Sequence, residues 1–171
     1  MSDPLTVATT ERRLRVAPQP DGFDGFYRAH ADTLRQGLCL ALADVELGTE
    51  AADEAMARAC ERWDEVSAYA NPTGWAYRVG LNWARSRQRR FRWRDDRPVP
   101  DTPVPTVPGD PDLTAALGRL AVDQRTVVVC RYLLDWSVDD TATALEIPVG
   151  TVKSRLARAL DQLARHLEVS R

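Results

Sequence analysis

A chain of 171 residues with 44% hydrophobic content holds one ordinary domain or two small ones, and its formal net charge of -2 taken alone argues against a nucleic-acid partner. It contains no run of eighteen apolar residues, and no apolar stretch follows the Arg12-Arg13-Leu14-Arg15 cluster, so neither a membrane span nor a secretory signal is expected and a cytoplasmic location is. Cys39, Cys60 and Cys130 are odd in number and far apart, a pattern that suits neither a disulfide framework nor a zinc site, and no cofactor or metal is expected.

Residues 1–21 read as a flexible tail. Beyond it, apolar residues recur at three- and four-residue intervals and no stretch alternates with period two, so the fold class expected is all-α. Phe23, Phe26, Tyr27, His30, Leu34, Leu38 and Leu42 follow helical spacing. A second helix is expected near Thr49 to Val66, with Ala52, Ala55, Met56, Ala59 and Trp63 on one side and Glu50, Asp53, Glu54 and Glu61 on the other. After an irregular piece, Ser67 to Ala70, the pair Asn71-Pro72 is a start signal: Asn caps and Pro takes the first turn. The helix that follows runs to about Arg92, with Ala76, Val79, Gly80 and Trp83 as its inner stripe.

The mean charge conceals its distribution. Between Arg85 and Arg97 seven arginines (85, 87, 89, 90, 92, 94 and 97) face two acids, Asp95 and Asp96, while acids collect from Asp44 to Glu65. One basic stripe and one acidic face suit two unlike partners, a polyanion and a basic protein surface. From Asp95 to Pro111 six prolines and almost no core-forming residue mark an extended linker, residues 95–111, between a first domain at 22–94 and a second at 112–171.

In the second domain helices are expected near Asp112 to Leu120 and Asp123 to Leu134. Ser137-Val138-Asp139-Asp140 has the spacing of a capping box with Asp in place of the usual Glu or Gln, and starts a short helix ending near Leu145. After Glu146-Ile147-Pro148-Val149-Gly150 a longer helix buries Val152, Leu156, Ala159, Leu160, Leu163 and Leu167. Two helices joined by a tight turn containing Gly, the second with cations near its start, form a helix-turn-helix candidate. Thr151, Lys153, Ser154, Arg155 and Arg158 lie off the buried stripe, where hydroxyls bind phosphate and arginine pairs with guanine; the bland reading is a solvated surface helix. In the first domain Tyr69, Trp75, Tyr77, Trp83 and Trp93 are interleaved with Arg78 and the arginine run, the combination that holds single-stranded DNA. Trp63, Trp75 and Trp83 also fit a buried face, and Tyr69 and Asn71 sit where a loop could receive a base turned out of the duplex.

The two halves resemble the extracytoplasmic-function type sigma factors, which keep only the second and fourth conserved regions joined by a linker. Ile147-Pro148-Val149-Gly150-Thr151-Val152-Lys153-Ser154-Arg155-Leu156-Ala157-Arg158-Ala159 looks like the family's region-four recognition helix. Gln124-Arg125, Val127, Val128, Arg131-Tyr132 and Trp136-Ser137 are similar to the earlier part of that region. Asn71-Pro72-Thr73-Gly74-Trp75-Ala76-Tyr77-Arg78-Val79, with Asn82, looks like the promoter-melting helix, and Glu50 to Trp63 resembles the region-two helix that docks on the polymerase's largest-subunit coiled coil. The wording is closest to the actinobacterial, SigE-like branch. It departs at Asp53-Glu54-Ala55-Met56, where the family usually carries Gln-Glu with a large aromatic two positions on.

The resemblance implies a transcription initiation factor with core RNA polymerase and promoter DNA as partners, and leaves open an anti-sigma protein as a third. Glu50, Asp53, Glu54, Met56, Arg58 and Glu61 would dock on core polymerase, and the second domain would rest on the flap. Thr151, Lys153, Ser154, Arg155 and Arg158 would read the upstream -35 element as duplex. Tyr69, Asn71, Arg78, Asn82, Arg85 and Arg87 would bind the -10 element and hold its strand open. The rival reading is a stand-alone helix-turn-helix repressor, against which the basic, aromatic first domain speaks. An enzyme finds little support: His30 and His166 are the only histidines, the sequence offers no nucleotide-binding glycine loop and no plausible metal cluster, and the carboxylates from Glu50 to Glu61, which could be read as a catalytic pair, fit an exposed acidic face better.

Overall fold

The computed structural model describes residues 22–92 and 110–169; Trp93, the arginines at 94 and 97, the tail and residues 95–109 of the linker lie outside them. Eight helices form among the described residues, and no strand. In the first half α1 (Gly22–Leu42) and α2 (Val45–Glu61) form an antiparallel pair, followed by the single turn α3 (Trp63–Val66) and the long α4 (Pro72–Arg92). The second half comprises α5 (Pro111–Gly118), α6 (Val122–Tyr132), α7 (Val138–Leu145) and α8 (Val149–Val169).

Local chemistry sets the starts. Asp44 precedes α2 in an extended conformation, and its carboxylate accepts from Leu47 N at 2.9 Å, so this helix begins four residues before Thr49. Asn71 Oδ1 accepts from Gly74 N at 2.7 Å ahead of Pro72, as the Asn-Pro signal predicts. Asp110 caps α5 through Leu113 N at 2.8 Å. The capping box at Ser137 is complete: Asp140 N donates to Ser137 Oγ at 2.9 Å and Ser137 N to Asp140 Oδ2 at 3.2 Å. Where one helix was expected from Thr49 to Val66, two form, separated at Arg62, whose φ of -116° and ψ of 27° leave the helical region.

The α1–α2 pair is very close. A Cβ on Gly48 would lie 2.4 Å from Cys39 Cα, so only glycine permits this approach. Phe26, Leu34, Leu38, Ala51, Ala55, Ala59, Val66, Ala76, Tyr77 and Ala84 fill the core beneath.

The second half is organised around α6. Arg125, Thr126, Val127, Val128, Val129 and Cys130 are all buried, as befits a helix surrounded on every side. Three successive valines serve three different cores. Val127 packs with Ala142 and Val152 inside the helix-turn-helix; Val128 packs with Leu117, Leu120, Ala159 and Leu163; Val129, with Cys130, joins the core of the first half. The two halves therefore share one apolar seam, to which Leu133, Leu134, Trp136 and Leu145 add partly buried side chains.

In the turn between α7 and α8 the left-handed residue is Glu146 (φ 54°, ψ 43°), not the glycine expected there. Gly150 instead lies within α8, in open space. Leu160, assigned above to the buried stripe, is 40% exposed, whereas Val152, Ala159 and Leu163 are buried.

Candidate nucleic-acid interface

The amino-terminal turns of α8 carry one set of candidate residues. Lys153, Ser154 and Arg158 are exposed and Thr151 is half-buried, with Val152 and Ala159 turned inward between them. Ser154 Oγ donates to Thr151 O at 3.1 Å. Arg155 differs from the others. Its Nη2 lies 2.8 Å from Asp123 Oδ2 at the start of α6.

The second set lies along α4. Asn82 is exposed, while Arg78, Arg85 and Arg87 are half-buried, each beside an acid. Arg85 Nη2 is 2.7 Å from Asp123 Oδ1, Arg87 Nη2 is 3.0 Å from Glu50 Oε2, and Arg78 pairs with Glu146 across the seam. The Arg87 guanidinium also stands 5.2 Å from the centroid of Trp83. Asp123 thus spans two arginines from the two separate sets, through its two oxygens. Arg78, Asn82, Arg85, Asp123, Thr126 and Arg155 line a small cleft that opens to solvent.

Ahead of α4, the Tyr69 hydroxyl is bonded to Glu65 and its ring centroid lies 6.4 Å from that of Trp75, itself 5.6 Å beneath the Arg62 guanidinium. The hydrogen bonds from Arg62 and then Tyr69 hold the Glu65 carboxyl below its ordinary value. Asn71, offered above as a contact for an extruded base, uses its carbonyl oxygen as the cap of α4. Tyr77 is not an available stacking surface: it is 0% exposed, with Trp136 edge-on at 5.6 Å. Burial raises its hydroxyl well above the usual tyrosine value. The ring falls on the core side of α4 because Gly80, Leu81 and Ala84, three, four and seven positions on, are all buried.

On α2, Asp53, Arg58 and Glu61 are exposed and Glu50 and Glu54 half-buried. Glu54 and Arg58 form an i,i+4 pair at 2.7 Å. Met56 is only 4% exposed and belongs to the core, where it braces the helix rather than facing outward with the carboxylates.

Residues 112–163 match the Sigma-70, region 4 family. Over 157 residues the chain is 32% identical to the ECF RNA polymerase sigma factor SigM of Mycobacterium tuberculosis, spanning 89% of this chain and 80% of that protein. The chain belongs to the extracytoplasmic-function sigma factors. RNA polymerase sigma-E factor of Streptomyces coelicolor is 30% identical over 154 residues, 85% of each chain. Among solved structures, the sigma factor RpoE in complex with the anti-sigma factor NepR from Bartonella quintana superposes with a TM-score of 0.73 at 22% identity, over 87% of this chain and 98% of that one. CnrH in complex with the cytosolic domain of CnrY gives 0.62 at 20% identity, over 87% and 89% of the two chains. These two likenesses speak for the all-helical fold, and the relatives favour a sigma factor over a stand-alone repressor.

Two acids of this sigma factor, Asp123 and Glu146, were not singled out in the sequence as partners of its arginines. Asp123 lies 38 and 32 residues from Arg85 and Arg155 respectively, and no local spacing reports such a pairing. Arg125 was noted only for its resemblance to region four. It is 4% exposed, and its guanidinium donates to Ala41 O at 2.8 Å and to the carbonyls of Leu117, Gly118 and Leu120 at 3.1–3.2 Å.

Proposed function

We propose that this sigma factor binds core RNA polymerase through the acidic face of α2, reads the -35 element as duplex with α8, and engages and opens the -10 element with α4. The single observation carrying this reading is the asymmetry of α8. Its inner side is sealed into two cores, while Thr151, Lys153, Ser154 and Arg158 stand outside them at the end where the helix dipole favours phosphate. Such an end can enter a major groove, where Arg155 would read guanine and the hydroxyls and Lys153 would hold phosphates.

On α4 the proposed contacts are Arg78, Asn82, Arg85 and Arg87, with Tyr69 and Asn71 at its entrance. Exposed Arg89 and Arg90 extend the basic surface. Opening a duplex costs a few kcal/mol per unstacked base, roughly, and stacking of about 1–3 kcal/mol for each captured base offsets it. Glu50, Asp53, Glu54, Arg58 and Glu61 are the proposed polymerase contacts, with Met56 supporting them from within. The two halves are proposed to act as separate DNA-binding domains, residues 22–94 and 112–171, with 95–111 as the linker running toward the polymerase's RNA path and 1–21 as a tail. An anti-sigma protein is the further partner proposed, and the role is non-enzymatic and cytoplasmic, in keeping with the sigma-factor relatives.

In vitro transcription with core polymerase on a promoter library tests this reading. Defined start sites sharing two spaced elements are expected, with specific DNA binding that requires polymerase. Specific binding of a duplex by the chain alone, with no start sites directed, would favour a repressor.

A further inference from the structure

Between the end of α2 and the start of α4 the backbone is tied into successive turns. Arg62, at the break, closes α2 and opens α3: its N–H bonds to Arg58 O, and its own carbonyl accepts from Glu65 N at 3.0 Å and Val66 N at 2.9 Å. Val66 is fully buried, and Ala68 N and Tyr69 N donate back to Glu65 O and Val66 O, both at 3.1 Å. These turns bring Tyr69 back beside Glu65, four residues earlier.

The side chains continue the linkage. Arg62 grips Glu65 through two nitrogens, Nε to Oε2 at 3.1 Å and Nη2 to Oε1 at 2.8 Å, and the Tyr69 hydroxyl donates to the same Oε1. A forked pair of this kind fixes a carboxylate in plane and direction, which a single contact does not. The bond to Glu65 raises the Tyr69 hydroxyl above the ordinary tyrosine value, as befits a phenol donating to an ionised carboxylate.

The Tyr69 ring is thus held at both ends, half-buried against the core of the first half and tied at its tip. Its aromatic neighbours are less available. Tyr77 is enclosed, the Arg62 guanidinium covers one face of Trp75 at 5.6 Å, and that of Arg87 stands over Trp83 at 5.2 Å. The Arg62–Glu65 pair is itself half-exposed, at 53% and 50%, and exposed pairs add little to stability. What it supplies is geometry: a ring already fixed loses less freedom when a base stacks on it than one that must first be ordered.

We infer that Glu65, held by Arg62, is a positioning residue for the -10 element: it fixes the Tyr69 ring at the entrance to α4, ready to receive a base turned out of the duplex, without touching that base itself. The inference rests on the reading of Tyr69 as a -10 contact. It also gives the break at Arg62 a use, since that departure from α2 is what sets Arg62, Glu65 and Tyr69 side by side.

The test uses holoenzyme assembled from the full-length chain and core polymerase. The probe is a single-stranded non-template oligonucleotide spanning the -10 element of a promoter that the parent transcribes. Tyr69→Phe keeps the ring and loses the tie; Glu65→Ala loses the tie from the other side. Each should weaken binding about two- to tenfold, the change expected when one side chain must be ordered on binding. The double variant should bind no more weakly than either single, because both remove the same link. Tyr69→Ala, which loses the stacking surface itself, should weaken binding at least about tenfold. The urea midpoint of Glu65→Ala, and its ranking of templates mutated in the upstream element, should stay those of the parent, which a merely structural role would not allow.

A carboxylate acting only as a charge near phosphate predicts the opposite sign, tighter binding by Glu65→Ala. That result, parent-like binding by Tyr69→Phe, or fully additive losses in the double variant would each overturn the inference; with Tyr69→Ala defective, the reading of Tyr69 as a -10 contact would still stand. Parent-like binding by Tyr69→Ala would overturn that reading, and the inference with it.

Discussion

Arg125 on α6 donates from Nε to the carbonyl oxygen of Ala41, at the end of α1 and 84 residues earlier in the chain, at 2.8 Å. One guanidinium thereby ties the last turn of α1 to the carbonyls at the end of α5. Its burial lowers its pKa from the ordinary arginine value, a sign that the site desolvates the charge and relies on carbonyl oxygens to compensate. Arg125→Ala should lower the unfolding free energy by about 2–4 kcal/mol, from lost charge-assisted hydrogen bonds and orphaned carbonyls. Urea unfolding followed by circular dichroism measures this, and a loss below about 0.5 kcal/mol, the scale of an ordinary surface substitution, would show the carbonyls to be satisfied without it.

Arg155→Ala should weaken discrimination within the upstream element by about 1–3 kcal/mol if its contact to guanine is bidentate. Open-complex formation by holoenzyme on templates mutated singly across that element gives the readout. An unchanged ranking of those templates would remove Arg155 from the reading face.

Replacing Arg85 and Arg87 together by Ala should reduce promoter opening and its dependence on salt while leaving upstream preference intact, because on the proposed reading these cations would neutralise backbone phosphates rather than read bases. Permanganate reactivity of the opened thymines reports the change. Equal reactivity in variant and parent would place the melting contacts elsewhere on α4.

His30 packs its ring 5.0 Å from Phe26, and burial lowers its pKa below 6.5. A histidine depressed in the folded state binds fewer protons there than in the unfolded chain, so the stability it contributes is complete above its unfolded value near 6.5 and is lost as pH falls toward the folded value. The drop in urea midpoint between pH 7 and pH 5 should therefore be smaller for His30→Gln than for the parent. An equal drop would assign the acid sensitivity wholly to other groups.

Much of this architecture is written locally. The helix beginning at Pro72, the capping box at Ser137 and the buried positions Val152, Ala159 and Leu163 of α8 follow from caps and a 3.6-residue period. The break at Arg62 was missed because apolar residues continue in helical register through Trp63 and Val66, and period alone does not register a one-residue departure in backbone angles. Tyr77 was read among possible stacking rings because aromatic residues suit both a core and a base, and only the approach of Trp136 decides. The partnership of Asp123 with Arg85 and Arg155 lies beyond sequence patterning altogether. It depends on how α6 is set against α4 and α8, and a carboxylate in the first turn of a helix is equally expected as a partner for the helix dipole.

Glu146 occupies a backbone conformation in which an L-residue is uncomfortable by roughly 1–2 kcal/mol, and where glycine would rest without strain. Its carboxylate nonetheless meets Arg78. At this one position local ease and distant attraction are opposed: a glycine would settle the bend more comfortably and surrender a handhold on the neighbouring half. Helix-turn-helix geometry and the union of the halves can thus be tuned against each other through a single side chain.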